Sequence, residues 1–156
     1  MSYFDNAATT YPKPDAVYSF MDSFYRNHGG SVGRGGYALA TTAKGLVDET
    51  RKLIQELMHC HAKQVIFTPT ATIALNMIIQ GAIVSGARSV YISPFEHNAV
   101  TRVLHHFEQL GQITVTELTV SESLEYDMVR IRYQFDAIRS DLVIVSHASN
   151  VIGLVA

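Results

Sequence analysis

Cysteine is almost missing from this 156-residue chain: Cys60 stands alone. A single thiol cannot close an intrachain disulfide, so a disulfide framework is excluded, and a reducing cytoplasm is the natural setting. Also missing is any run close to the ~20 apolar residues that a membrane-spanning helix needs. The first residues, Met1-Ser-Tyr-Phe-Asp5, have neither the basic start nor the apolar stretch of a secretory signal. Charge is sparse, with 12 basic residues against 14 acidic ones, a net charge of −2 and no long run of one sign. That argues against a nucleic-acid footprint or a membrane-surface patch. Internal repeats and low-complexity tracts are absent too.

What is present suits one soluble globular domain. Hydrophobic residues make up 47% and charged residues 17% of the chain. A compact chain of this length buries roughly 70% of its unfolded surface, enough for a sizeable core. Residues 1–13 read as an extended lead-in segment, because Pro12 and Pro14 bias their neighbours away from the helical region. Pro14 and Asp15 then suit a helix start, with Val17, Phe20, Met21 and Phe24 on its apolar face and a stop at His28-Gly29-Gly30. Residues 29–36 form a glycine-rich loop. A long amphipathic helix over Tyr37 to His59 carries its stripe on Leu46, Thr50, Leu53, Ile54 and Leu57.

From there the pattern alternates. Strands are expected at Gln64–Thr68, Ser89–Ser93, Ile113–Leu118 and Leu142–Ser146, and helices at Ala71–Val84, Asn98–Leu110 and Gln134–Arg139. Residues 121–133 read as a loop with a short strand. Strand–helix alternation with apolar runs such as Leu142-Val-Ile-Val145 argues for a parallel sheet covered on both faces.

Three segments could carry chemistry. Thr70-Ala71-Thr72 opens a helix after Phe67-Thr-Pro69, where free N–H groups and the positive end of the helix dipole favour an anion. On those residues alone an ordinary threonine-rich cap is the more common outcome. Glu96-His97-Asn98-Ala99-Val100 follows a strand and Pro94, placing an imidazole at a strand's C-terminal end, where open α/β sheets bind ligands. Taken singly, a surface histidine at a helix start is the better explanation. Ser146-His-Ala-Ser-Asn150-Val-Ile-Gly153 again ends a buried strand in polar residues, which a plain turn would also do. Gly33-Arg34-Gly35-Gly36 is not a nucleotide loop: it lacks the G-x-G-x-x-G spacing and follows a helix. His59-Cys60-His61 is a poor metal site, since residues two apart on a helix point away from each other.

Taken in order with Tyr3-Phe-Asp-Asn-Ala-Ala-Thr-Thr10, these segments resemble the N-terminal part of cysteine desulfurases, within the class V aminotransferases that use pyridoxal 5′-phosphate (PLP). The resemblance implies a three-layer α/β fold with a mainly parallel sheet, with residues 14–156 forming part of the large domain of a PLP-dependent transferase. It implies that Ala71 and Thr72 hold the PLP phosphate, that His97 stacks on the pyridine ring as the catalytic base, and that Asn150 bonds the phenolic oxygen. Asn76 matches the pattern as well. Thr70 stands where glycine is usual, and Ile73 where many relatives have glutamate. Asn6 and Ala7 would line the substrate side, and Arg34 could meet a carboxylate at a dimer interface.

The implied activity is removal of sulfur from L-cysteine, giving L-alanine and a persulfide on an enzyme cysteine. A homodimer, a sulfur-acceptor protein and iron–sulfur cluster assembly come with it. The sequence ends before the Ser/Thr-x-His-Lys segment whose lysine carries PLP, and before the catalytic cysteine and the aspartate that pairs with the pyridine nitrogen. The 156 residues are therefore expected to be inactive alone, with unpaired sheet edges that favour self-association. Selenocysteine lyase or another class V aminotransferase fits the same segments, and a non-catalytic remnant acting as an interaction protein is a further alternative.

Overall fold

The computed structural model describes residues 2–33 and 35–155, which form two compact units, Met1–Phe67 and Thr68–Ala156. The first unit holds two helices, α1 (Asp15–His28) and α2 (Ala38–Leu57). Asp15 lies in the first turn of α1, and Arg26 and His28 in its last, each with the sign that suits the helix dipole. In α2 the fully buried residues are Ala40 and Ala43. The expected stripe is only partly covered: Leu46 and Ile54 are half-buried, whereas Leu53 and Leu57 are exposed. The helix also stops two residues short of His59, whose φ of 50° lies in the left-handed region.

The expected strand at Gln64–Thr68 does not form. Side chains of α2 hold the segment instead: Arg51 Nε donates to Val65 O at 3.3 Å, and Gln55 Nε2 to Lys63 O just before it. The Arg51 guanidinium also lies 5.5 Å from the centre of the Phe67 ring. The segment is thus held along a helix by side chains, while Ile66 remains 76% exposed.

The second unit carries α3 (Ala71–Val84), β1 (Ser89–Ile92), α4 (Asn98–Gln109), β2 (Thr114–Glu117), α5 (Met128–Ala137) and β3 (Leu142–Ile144). The three strands pair in parallel in the order β2-β1-β3, with Val90 opposite both Val115 and Leu142. Alternation along β1 sends neighbouring side chains to opposite faces. Val90 and Ile92 pack with Ile79 and Ile83 of α3 and with Val100, Val103 and Leu104 of α4. Tyr91 points the other way, onto Leu118 and Ile131 of α5. The result is the expected three-layer arrangement: α3 and α4, then the sheet, then α5. Tyr91, 1% exposed, has its hydroxyl within hydrogen-bond distance of Gln134 O and Ile138 O, at 2.8 and 2.9 Å, whereas the buried hydroxyl of Tyr126, packed against the same cluster, has no partner.

Helix α5 begins six residues earlier than the expected Gln134. Asp127 supplies the reason, since its Oδ1 accepts from Arg130 N at 3.0 Å and caps the first turn. At the opposite end of the sheet, Asp141 Oδ2 accepts from Ser89 N at 3.0 Å and Arg88 N at 2.8 Å, tying the start of β3 to the start of β1. Those two backbone donors, with weaker help from Arg139 and Arg88, hold its carboxyl below the usual aspartate value.

Candidate cofactor site

At the C-terminal edge of the parallel sheet, short loops lead out of β1 and β3, and both α3 and α4 begin there. Thr70 caps α3, its Oγ1 accepting from Ile73 N at 3.2 Å, and Thr70 O takes the Ala74 N–H at 3.1 Å. Thr68 Oγ1 braces the turn by donating to Thr70 O at 3.0 Å. The Ala71 and Thr72 N–H groups then have no partner within the helix, as the geometry of a helix start requires. They sit beside the Thr72 hydroxyl at the positive end of α3, and both residues are exposed.

His97 caps α4, with Nδ1 accepting from Ala99 N at 3.0 Å. Asn76 joins the two helix starts: its Nδ2 donates to Thr72 O at 2.9 Å and reaches Ala99 O at 3.5 Å. Thr72, Asn76, His97, Asn98 and Arg102 consequently line one cavity of about 330 Å³. That volume lies within the range of about 300–1,000 Å³ typical of small-molecule clefts.

Glu96, beside His97, was given no role from sequence. Its Oε1 accepts from Ser93 Oγ at 2.6 Å and from Ser146 N at 2.5 Å, and Oε2 accepts from Ser146 Oγ at 2.9 Å. Ser93 is 1% exposed and receives the Phe95 N–H at 3.2 Å. One carboxylate therefore clasps the loop after β1 to the loop after β3, across fifty residues of sequence. No local pattern could have announced a contact at that separation.

Asn150 lies beyond Ser146 in a turn organised by Ser149 rather than by itself. Ser149 is 8% exposed. Its Oγ accepts from Val151 N and Ile152 N at 3.3 and 3.4 Å, and its carbonyl from Gly153 N at 3.0 Å. Gly153 takes φ 69°, which glycine adopts without strain. Asn150 is exposed and does not line the Thr72–His97 cavity. Asn6 and Ala7 belong to the first unit, in a turn where Asn6 Oδ1 accepts from Tyr11 N at 3.2 Å. Arg34 lies outside the described residues. Of the residues singled out from sequence, the structure thus brings Thr72, Asn76 and His97 together and leaves Asn150 in the neighbouring loop.

Residues 2–156 match the class-V aminotransferase family. This chain belongs to that family. Among curated relatives of this class-V chain, the cysteine desulfurase IscS of Anaeromyxobacter sp. (strain Fw109-5) is 30% identical over 158 residues, covering 98% of this chain and 38% of the relative. In fold, the class-V chain superposes on the apo cysteine desulfurase from Thermococcus onnurineus NA1 with a TM-score of 0.87 at 23% identity, covering 98% of this chain and 38% of that one. It also matches SspA, solved in complex with cysteine, with a TM-score of 0.77 at 22% identity, over 99% of this chain and 44% of that one. The class-V chain therefore spans well under half the length of the relatives it matches.

The residues at the α3 and α4 starts fit the family's cofactor. Two unpaired N–H groups and a hydroxyl are a donor set for a phosphate, and an imidazole on the same cavity offers a flat face for an aromatic ring.

Proposed function

We propose that this chain supplies one wall of the PLP site of a cysteine desulfurase acting on L-cysteine. The observation that carries the reading is the shared cavity of Thr72 and His97, set by the helices that precede and follow β1 in the chain. Ala71 and Thr72 would hold the phosphate through their N–H groups and the Thr72 hydroxyl. His97 would lie over the pyridine ring, oriented by its bond from Ala99. Asn76 keeps the two helix starts at a fixed spacing, and Glu96 carries the Asn150 loop alongside, so that the Asn150 amide can approach the phenolic oxygen. Asn6, Ala7 and Arg34 would contribute the substrate side. Bound PLP supplies an electron sink, which lets sulfur leave the amino acid. The contacts proposed for these 156 residues are all non-covalent. The wider reading is a cytoplasmic homodimer that passes sulfur to an acceptor protein in iron–sulfur cluster assembly.

The test is a PLP titration of the purified chain followed by absorbance, with borohydride added at saturation. Reversible binding that leaves no reduced adduct, and that weakens about tenfold in His97→Asn and Thr72→Ala, is the expected result. Asparagine at 97 keeps the helix cap and removes only the ring. Absence of binding in the wild-type chain would overturn the reading that these residues suffice to hold the cofactor.

A further inference from the structure

We propose that the groove between α3 and α4 is a phosphate-binding site centred on Arg102. Two stripes build it. Thr72, Asn76 and Gln80 recur at four-residue intervals on α3, as do Asn98, Arg102 and His106 on α4, an interval that keeps side chains on one face. They line two adjoining cavities of about 330 Å³ each, which share Asn76, Arg102 and the 8%-exposed Val103. The opposite face of α4, with Val100 and Leu104, is committed to the core. The polar stripe is therefore fixed in place by its own helix and cannot turn inward.

The groove has one electrostatic sign. Neither cavity is lined by a carboxylate. Among the described residues, Arg102 enters no ion pair; the four pairs present involve Arg26, Lys44, Arg51 and Arg130. Its guanidinium carries five N–H donors and no acceptor, in a planar fork that matches phosphate oxygens two at a time. The side-chain amides of Gln80 and Asn98 and the Thr72 hydroxyl add neutral donors around it. Helices α3 and α4 both begin at the Thr72–Asn98 end, so two positive dipole ends converge there. An unpaired guanidinium, flanked by neutral donors and free of acidic neighbours, is a seat for an oxyanion.

The phosphate has two conceivable sources. One is the phosphate of PLP itself, which rests on the reading above. The other is a second phosphate-bearing molecule that binds independently of it. In the first case the PLP phosphate occupies the Arg102 seat, in the second it leaves that seat free, and competition separates the two.

The experiment is a ¹H–¹⁵N NMR titration of the chain with inorganic phosphate, repeated with PLP and with pyridoxal, which lacks the phosphate. Phosphate is expected to shift the Arg102 Nε–H and the Gln80 and Asn98 side-chain signals. Arg102→Met should weaken binding about tenfold or more, and Arg102→Lys by less, because lysine keeps the charge but loses the fork. Gln80→Ala, a second exposed position, should weaken it about threefold. Displacement of inorganic phosphate by PLP but not by pyridoxal identifies the cofactor's phosphate as the source. Simultaneous binding of PLP and phosphate identifies a separate ligand. If PLP fails to bind while phosphate still reports on Arg102, the cofactor reading falls and the oxyanion site stands. If phosphate moves none of the groove signals, or binds Arg102→Met as tightly as wild type, the proposal is wrong.

Discussion

Removing the Glu96 carboxylate should loosen the whole sheet edge, and by an amount the structure lets one work out. Three hydrogen bonds converge on it: from Ser93 Oγ, Ser146 N and Ser146 Oγ, at 2.6, 2.5 and 2.9 Å. A hydrogen bond to a charged group contributes about 1.5–3 kcal/mol. Three would sum to more than 4 kcal/mol if independent, but they share one side chain, and the half-buried site lets water replace part of the loss. Glu96→Ala should therefore destabilise the protein by about 3 kcal/mol. Glu96→Gln keeps one carbonyl acceptor and a donor that the Ser146 hydroxyl can receive, so about 1 kcal/mol is expected. Urea unfolding of the three proteins, read by circular dichroism, gives both values. Hydrogen exchange at the Ser146 amide should accelerate in the same order. A Glu96→Ala protein within about 0.5 kcal/mol of wild type would refute the reasoning, because surface substitutions away from any such network also fall in that range. Equal losses for alanine and glutamine would show that charge alone, not the shared acceptor geometry, holds the loops.

Three further predictions follow from the fold. Asp141 has a carboxyl pKa below its ordinary value, so its contribution to stability is complete above that value and fades as pH falls through the depressed one. Acid titration of unfolding should thus show the gap between wild type and Asp141→Asn closing below about pH 4. Asp127→Ala removes the cap of α5 and should cost about 1 kcal/mol by urea unfolding. Leu104, 1% exposed between α4 and the sheet, should cost about 2–5 kcal/mol when cut to alanine, measured the same way.

The sequence and the structure agree best where a local signal and a tertiary need coincide. Pro14 and His28-Gly29-Gly30 bracket α1, and the Thr70 cap and apolar length of α3 mark it from Ala71 to Val84. Val90, Tyr91 and Ile92 of β1 are buried because the strand is covered on both faces, and that short apolar run is visible in the sequence. Gln64–Thr68 misled because Val65, Ile66 and Phe67 carry strand propensity, yet a strand exists only if a neighbouring strand pairs with it, and here the Val65 carbonyl is bonded by Arg51 of α2 instead. The start of α5 was legible in principle, since Asp127 precedes the helix as a cap, but no apolar periodicity stands out in Met128–Tyr133. At the site, the segments around Thr72 and His97 could be singled out by type and context. The Asn76 bridge and the Glu96 clasp could not, because each joins residues that only the folded chain makes neighbours.

The Ala99-to-His97 bond has a consequence for proton transfer. With Nδ1 occupied as an acceptor, a neutral imidazole carries its single proton on Nε2. The ring in that state can donate through Nε2 but has no lone pair left with which to take a proton. Nδ1 can act as an acceptor toward a ligand only where it gives up the Ala99 N–H. A ligand that clamps the helix start will favour the ring as a donor, and one that needs a base there must first undo a cap.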